Sequence, residues 1–441
     1  MPHIRTLTSE RFRRLSREGA WIVLGQTAAI LGSLVGVRLL TELLDPIAYG
    51  ELALGMTVAT LVNQTMLGPL SNGITRFYAP ARESNEIGAY LGATRWLVLS
   101  ATAVMVLLSV FAFSGLFLVG RSEWIGVAIP ALIFAILSGY NSILNGIQSA
   151  ARQRPIVALH QGIESWLRFL IAAGLMVWLG ATSAVAMVGY VVATVLVLGS
   201  QCVYFRKIAP ERLHATDKEK TWEVRIWKYS WPFATWGVFT WAQQVSDRWA
   251  LELFATTQEV GCYAVLFQLG YYPISMATGM ATQFFAPIFY QRAGDAIDSR
   301  RNANVHSLSW RLTGLALGVT CLAFLLASLF HVRIFQVLAA KEFLIVSYLL
   351  PWMLLAGGLF AAGQTIALGL MSQMKTRTMV AAKIVTALLG TIFNFAGARW
   401  YGTTGVVIAS VLFSVLSFLW MLLLSKKAQA SGRTAESGIQ T

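Results

Sequence analysis

Residues 90–119, YLGATRWLVLSATAVMVLLSVFAFSGLFLV, carry a single charged side chain, Arg95, in thirty positions. A helix rises about 1.5 Å per residue, so roughly 20 apolar residues cross a hydrocarbon core about 30 Å thick. This stretch is therefore a membrane span, and the rest of the chain reads the same way. Of its 441 residues 56% are hydrophobic and 12% charged, with a mean hydropathy of +0.62. Soluble domains carry about 25% charged residues, so this chain lacks the polar side chains to cover a soluble surface. Its 37 Gly and 15 Trp suit lipid-facing helices and membrane interfaces. The net charge of +14 does not indicate a nucleic-acid partner, because the basic residues lie in the connections between spans. Cys202, Cys262 and Cys321 lie in apolar runs, and the five histidines are scattered without ligand spacing, so neither a disulfide framework nor metal chemistry is indicated.

Working outward, twelve spans are expected: 20–41, 49–70, 90–119, 125–149, 156–179, 183–205, 229–254, 260–284, 307–330, 345–371, 378–397 and 403–424. The first follows Arg11, Arg13, Arg14 and Arg17, as a signal peptide would. Its apolar run is longer than a signal h-region and no small-residue cleavage site follows, so it reads as a retained helix. With both termini on one side, 24 of the 34 Lys and Arg fall on that side and four (Arg121, Arg333, Lys341, Arg399) on the other. Positive residues mark the cytoplasmic face, so both termini are expected there. The largest connection, Arg206–Lys228, holds seven basic residues and suits a linker near anionic headgroups. The expected organisation is an N-terminal six-helix bundle (1–205), a basic cytoplasmic linker (206–228), a C-terminal six-helix bundle (229–424) and a cytoplasmic tail (425–441).

The two halves echo each other. Arg38-Leu-Leu-Thr-Glu42-Leu43 precedes Gly50, and Arg248-Trp-Ala-Leu-Glu252-Leu253 precedes Gly261. Trp178-Leu-Gly180-Ala-Thr182 opens the sixth span, and Trp400-Tyr-Gly402-Thr-Thr404 opens the twelfth. Each half has an even number of spans, so the repeats run in the same direction, related by a pseudo-two-fold axis along the membrane normal. Such parallel repeats occur in transporters.

The segment Leu39–Tyr78 resembles the opening of polysaccharide-transport proteins, as do Asp247-Arg248-Trp249, Val260-Gly261-Cys262-Tyr263, Asn394 and Tyr401-Gly402-Thr-Thr-Gly405. These form a branch of the multidrug/oligosaccharidyl-lipid/polysaccharide exporter superfamily that includes the Wzx-type flippases. The resemblance implies an all-α polytopic fold of two six-helix bundles around a central cavity. It also implies carriage of undecaprenyl-pyrophosphate-linked oligosaccharide across the bacterial inner membrane by alternating access, often coupled to a proton or sodium gradient. Implied partners are this lipid-linked glycan, membrane lipids and other polysaccharide-assembly proteins. Twelve spans make a lipid II flippase, with two further helices, a poorer match.

Ionisable side chains cost roughly 2.5–3.5 kcal/mol each inside a bilayer, so each one needs an account. His160, Glu164 and Arg168 are spaced by four and share one helix face. One reading is a polar stripe facing the cavity; the other is a helix beginning outside the membrane with Trp166 at the interface. Gln243, Gln244, Asp247 and Arg248 form a second stripe. Arg248 with Glu252, and Arg38 with Glu42, can equally be structural ion pairs. Lys383 has no carboxylate three or four residues away. A pyrophosphate needs Arg or Lys once desolvated, which makes Arg38, Arg168, Arg248 and Lys383 the candidate substrate-binding cations. Glu164 and Asp247 are the candidate ion-coupling groups. Arg76, His160, Asn63, Gln64, Asn145, Gln243, Gln244 and Asn394 form a second rank, with interhelical hydrogen bonding as their alternative use.

Two other functions compete. A drug–cation antiporter would want unpaired acids inside, yet Glu164 and Asp247 both adjoin basic groups. A glycan polymerase or ligase would place catalytic residues in a large outer loop, whereas the longest here is about His331–Leu344. No Lys follows a Gly, which excludes a Walker A nucleotide site. The chain is expected not to be an enzyme.

Overall fold

The computed structural model describes residues 2–118, 120, 124–207, 218–293, 299–372 and 376–437, and nearly all of them are helical. The helices are α1 (Pro2–Leu43), α2 (Pro46–Val62), α3 (Gly68–Glu83), α4 (Ile87–Leu118), α5 (Ile125–Ala150), α6 (Arg154–Leu179) and α7 (Ser183–Arg206) in the first half. The second half holds α8 (Lys218–Phe254), α9 (Thr257–Leu269), α10 (Tyr271–Ala293), α11 (Ser299–Leu338), α12 (Leu350–Ser372) and α13 (Thr376–Ser437). A π-helical turn, Asn63–Leu67, joins α2 to α3 as one rod, and α9 and α10 are separated only by Gly270. The long α13 bends at Gly402, where φ is 52° and ψ is −135°. Among the described residues this makes twelve rods, the number the hydropathy pattern predicts.

Several rods outrun their apolar runs. Helix α1 begins at Pro2 and α8 at Lys218, because backbone hydrogen bonding continues through good helix formers after the apolar run ends. The expected outer loop His331–Leu344 is largely helical: α11 continues to Leu338, and a 3-10 helix, Lys341–Leu349, leads into α12. His331 Nδ1 lies 3.1 Å from Ser347 Oγ across that turn. Residues 208–217 of the basic linker and 438–441 of the tail lie outside the described residues.

Among the described residues eight helical segments are long and apolar enough to cross a membrane, and one of them, Ala382–Lys427, runs through the Gly402 bend and so contains two rods. The three rods that fall short are α2–α3, α8 and α9–α10. The first is split by the π-helical turn into pieces of 17 and 16 residues, and the first two hold Asn63, Gln64, Gln243, Gln244, Asp247 and Arg248. Helices α4 and α11 are the least covered spans, each with 11% of its apolar window buried. Leu107, Leu108 and Phe111 on α4, and Leu315, Val319 and Leu322 on α11, are exposed and suit acyl chains.

The two halves repeat their internal contacts. In the first, Trp166 Nε1 of α6 donates to the Ala28 carbonyl of α1 at 3.0 Å. In the second, Asn394 Nδ2 of α13 donates to Ser246 Oγ of α8 at 2.9 Å. Both contacts tie the fifth helix of a half to its first. The Trp-x-Gly turns also correspond: Gly180 has φ 105° and Gly402 φ 52°, a region that side chains with a Cβ rarely enter. At each turn a carboxylate from the second helix holds the start of the sixth. Glu51 accepts from Ser183 Oγ. Glu259 accepts from the Thr403 amide at 2.7 Å and its hydroxyl at 2.9 Å. Glu259→Ala removes both bonds and should lower stability by about 1–3 kcal/mol, read as a reduced melting temperature in detergent. Glu259→Gln should recover part of that loss, and an unchanged melting point in Glu259→Ala would refute the role.

By compactness the chain divides between Val245 and Ser246, inside α8. The N-terminal part of α8 belongs to the first unit. Trp222 is buried with Tyr78, Tyr90 and Ile147, and its indole donates to Glu86 Oε2 at 3.0 Å. Trp241 Nε1 donates to the Thr57 carbonyl at 2.8 Å.

Candidate substrate and ion-coupling sites

In the first unit the stripe on α6 is assembled as the four-residue spacing predicts. His160 is buried, its Nδ1 2.8 Å from the Ile156 carbonyl and its Nε2 3.0 Å from Ser200 Oγ on α7. Glu164 lies beside Arg168, Asn141 and His160. The Arg168 guanidinium sits 5.1 Å from the Phe169 ring centre and 5.4 Å from that of Tyr190. Its Nε is buried and lacks a hydrogen-bond partner, and it forms no ion pair among the described residues. The Trp166 bond to α1 places that residue at a helix–helix contact.

The polar residues of second rank are used in different ways. Asn145 Oδ1 accepts from Gln201 Nε2 at 2.9 Å, joining α5 to α7. Gln64 Nε2 donates to Gln244 Oε1 at 2.6 Å, joining the π-helical turn to α8. Asn63 makes long bonds of 3.3 and 3.4 Å to Ser138 Oγ and the Ala135 carbonyl. Gln243 is half-buried on α8. Arg38 pairs with Glu42 on a half-exposed face of α1, the geometry of a structural ion pair. Arg76 is exposed on α3.

In the second unit Asp247 is buried and strongly held. Its carboxylate accepts from the Tyr263 hydroxyl at 2.7 Å, the Arg248 amide at 2.7 Å and Arg248 Nη1 at 3.2 Å. Arg248 also lies 4.6 Å from the Phe267 ring centre. Neighbouring Ser246 receives the bond from Asn394. Lys383 is half-buried on α13 and forms no ion pair among the described residues. No three His, Cys, Asp or Glu side chains among the described residues converge as a metal site.

Sequence reasoning missed Tyr263, the partner of Asp247, and Tyr190, the ring under Arg168. Tyr263 entered only as part of a family-like stretch and Tyr190 as an apolar-run tyrosine, because the partner of each lies on another helix. It also gave no sign that Asn141, Gln148 and Gln201 keep amide atoms buried without partners.

A polytopic helical chain of twelve rods in two repeated halves has the architecture of the flippase–transporter class. A profile described as "Polysaccharide biosynthesis protein" matches residues 15–292, and the chain belongs to that family. Solved structures agree on the fold. A multidrug resistance MATE family transporter of the MOP superfamily, inward-facing, is similar at TM-score 0.69 and 13% identity, covering 93% of this chain and 96% of that one. The lipid II flippase MurJ in an inward closed conformation is similar at TM-score 0.67 and 13% identity, covering 93% and 87%. An outward-facing MATE transporter gives TM-score 0.60 at 14% identity, covering 95% and 96%. A search of curated proteins returned no significant match.

Proposed function

We propose that this protein translocates undecaprenyl-pyrophosphate-linked oligosaccharide across the bacterial cytoplasmic membrane by alternating access. A proton or sodium gradient drives the cycle, and both termini are cytoplasmic. The observation that carries this reading is Arg168, a half-buried cation at membrane depth with a buried, unpartnered Nε and no ion pair among the described residues. It lies about 18 Å along α6 from Ile156, near the middle of a core about 30 Å thick. A cation kept there with a donor unused, although Glu164 stands beside it, favours an anionic cargo, and pyrophosphate accepts from a guanidinium in bidentate geometry. The shared fold does not separate a glycan-lipid flippase from a drug antiporter, and the charges favour the flippase. Each intramembrane acid, Glu164 and Asp247, lies beside an arginine, which disfavours a cationic drug. The short, largely helical outer connections leave little room for a polymerase or ligase site, so no catalytic role is assigned.

The test is a deletion strain, in which the lipid-linked glycan should accumulate on the inner leaflet and disappear once the gene is restored. Drug sensitivity without glycan accumulation would favour the antiporter.

Sidedness has its own test. With Cys202, Cys262 and Cys321 replaced, cysteines at the exposed Ala181 and Gln258 should react with an impermeant maleimide from outside. Cysteines at Lys207 and Lys427 should react only after the membrane is opened. External labelling of Lys207→Cys would reverse the assigned orientation.

A further inference from the structure

Helices α5, α6 and α7 are linked in a ring by polar side chains: Asn145 to Gln201, Ser200 to His160, and Glu164 beside Asn141. Inside this ring lie amides whose hydrogen bonding is unmet. Both side-chain amide atoms of Asn141 and Gln148 are buried without a well-formed partner, as is Gln201 Oε1. Asn141 is 2% exposed, and Gln148 and Gln201 are 0% exposed. Gln153 Oε1, at the α5–α6 turn, is also buried without a partner. Residues 141, 145 and 148 share one face of α5, and Phe134 on that same face meets Tyr190 of α7. The unpartnered atoms thus form a column from the α5–α6 turn to Glu164, about 16 Å along α6. A buried amide atom left unpaired is costly, and Gln148 with both atoms, Asn141 beside Glu164 and Gln201 with its oxygen point to an occupant that both donates and accepts. Water does both; a bare cation and an anion each satisfy only one kind.

We propose that this column is a water-binding site that conducts protons between the α5–α6 turn and Glu164. The inference rests on the reading of Glu164 as an ion-coupling group, and it specifies the proton as the ion. In the step, a hydronium gives its proton to the Glu164 carboxylate; one carboxyl O–H bond forms, and a water molecule remains. The charged and titratable groups facing Glu164 are His160 and Arg168 on α6, with Tyr190 and Tyr204 of α7 against Arg168 and His160. From α1, Arg38 is engaged with Glu42.

The experiment uses the full chain in proteoliposomes with two readouts: proton uptake under an imposed pH gradient, and deuterium exchange of the Glu164 carboxyl band in infrared difference spectra against Glu164→Gln. Gln148→Met keeps side-chain length and removes the polar atoms; Asn141→Leu and Gln201→Met are the companion variants. Each should slow exchange and uptake about tenfold. If the amides merely pack, all three variants should leave exchange unchanged and gain stability, and the column is refuted. Loss of uptake in Glu164→Gln with normal exchange in Gln148→Met also refutes the column but keeps Glu164 as coupling group. Unchanged uptake in Glu164→Gln refutes the coupling role itself, and slowed exchange in Gln148→Met would then still establish the column.

Discussion

Export of the lipid-linked glycan falls below about 1% when Arg168 is replaced by Ala, with the protein still present in the membrane. A desolvated phosphate that loses its guanidinium partner is destabilised by about 3–5 kcal/mol, and each 1.4 kcal/mol is tenfold. Folding should suffer far less. Within the protein, this guanidinium lies against the Phe169 and Tyr190 rings and beside Glu164, and cation–π contacts contribute about 0.5–2 kcal/mol. Arg168→Lys keeps the charge but loses the planar fork, so it should retain partial export. The measurement is surface glycan in a deletion strain carrying each variant, normalised to membrane abundance. Normal export by Arg168→Ala combined with Arg248→Ala would show that the phosphate is held elsewhere.

The second large effect concerns Asp247. Asp247→Asn should abolish the response of export to the ion gradient while leaving substrate binding nearly intact. The carboxylate is saturated by Tyr263, the Arg248 amide and the Arg248 guanidinium, so its charge is balanced only while Arg248 stays in place. A cation arriving at Asp247 competes with Arg248 and changes the net charge offered to an anion, which is the differential affinity that coupling requires. Asn cannot make that exchange. It also removes the Asp247–Arg248 ion pair, so a stability loss of about 1–3 kcal/mol should accompany the change. Tyr263→Phe removes one hydrogen bond without altering charge, and should cost stability while preserving the gradient response. Export by Asp247→Asn that still collapses with a protonophore would make Asp247 a purely structural residue.

The sites divide unevenly between what could be read along the chain and what could not. The His160–Glu164–Arg168 face was legible because helical spacing alone puts residues four apart in line. The pairing of Arg38 with Glu42 was legible for the same reason, though whether it serves substrate or structure was not. The Gln64–Gln244 bond was not legible, since it joins residues 180 apart in sequence. The bond of Tyr263 to Asp247 and the unpaired amide of Gln148 were not legible for one reason: both depend on what lies on another helix.

What the sequence by itself determined is local and one-dimensional. Hydropathy set twelve passes, the Lys and Arg asymmetry set an expected sidedness, and the Trp-x-Gly repeat marked two corresponding turns. Each of these depends on a residue and its near neighbours along the chain, because the bilayer acts on every segment separately. The tertiary structure alone decided how far helices run beyond the apolar core, and it placed the first part of α8 on Thr57, Glu86 and the Trp222 cluster. It also decided which buried polar groups are satisfied. That last question depends on geometry between helices distant in sequence, where a displacement of one ångström separates a hydrogen bond from an unpaired amide.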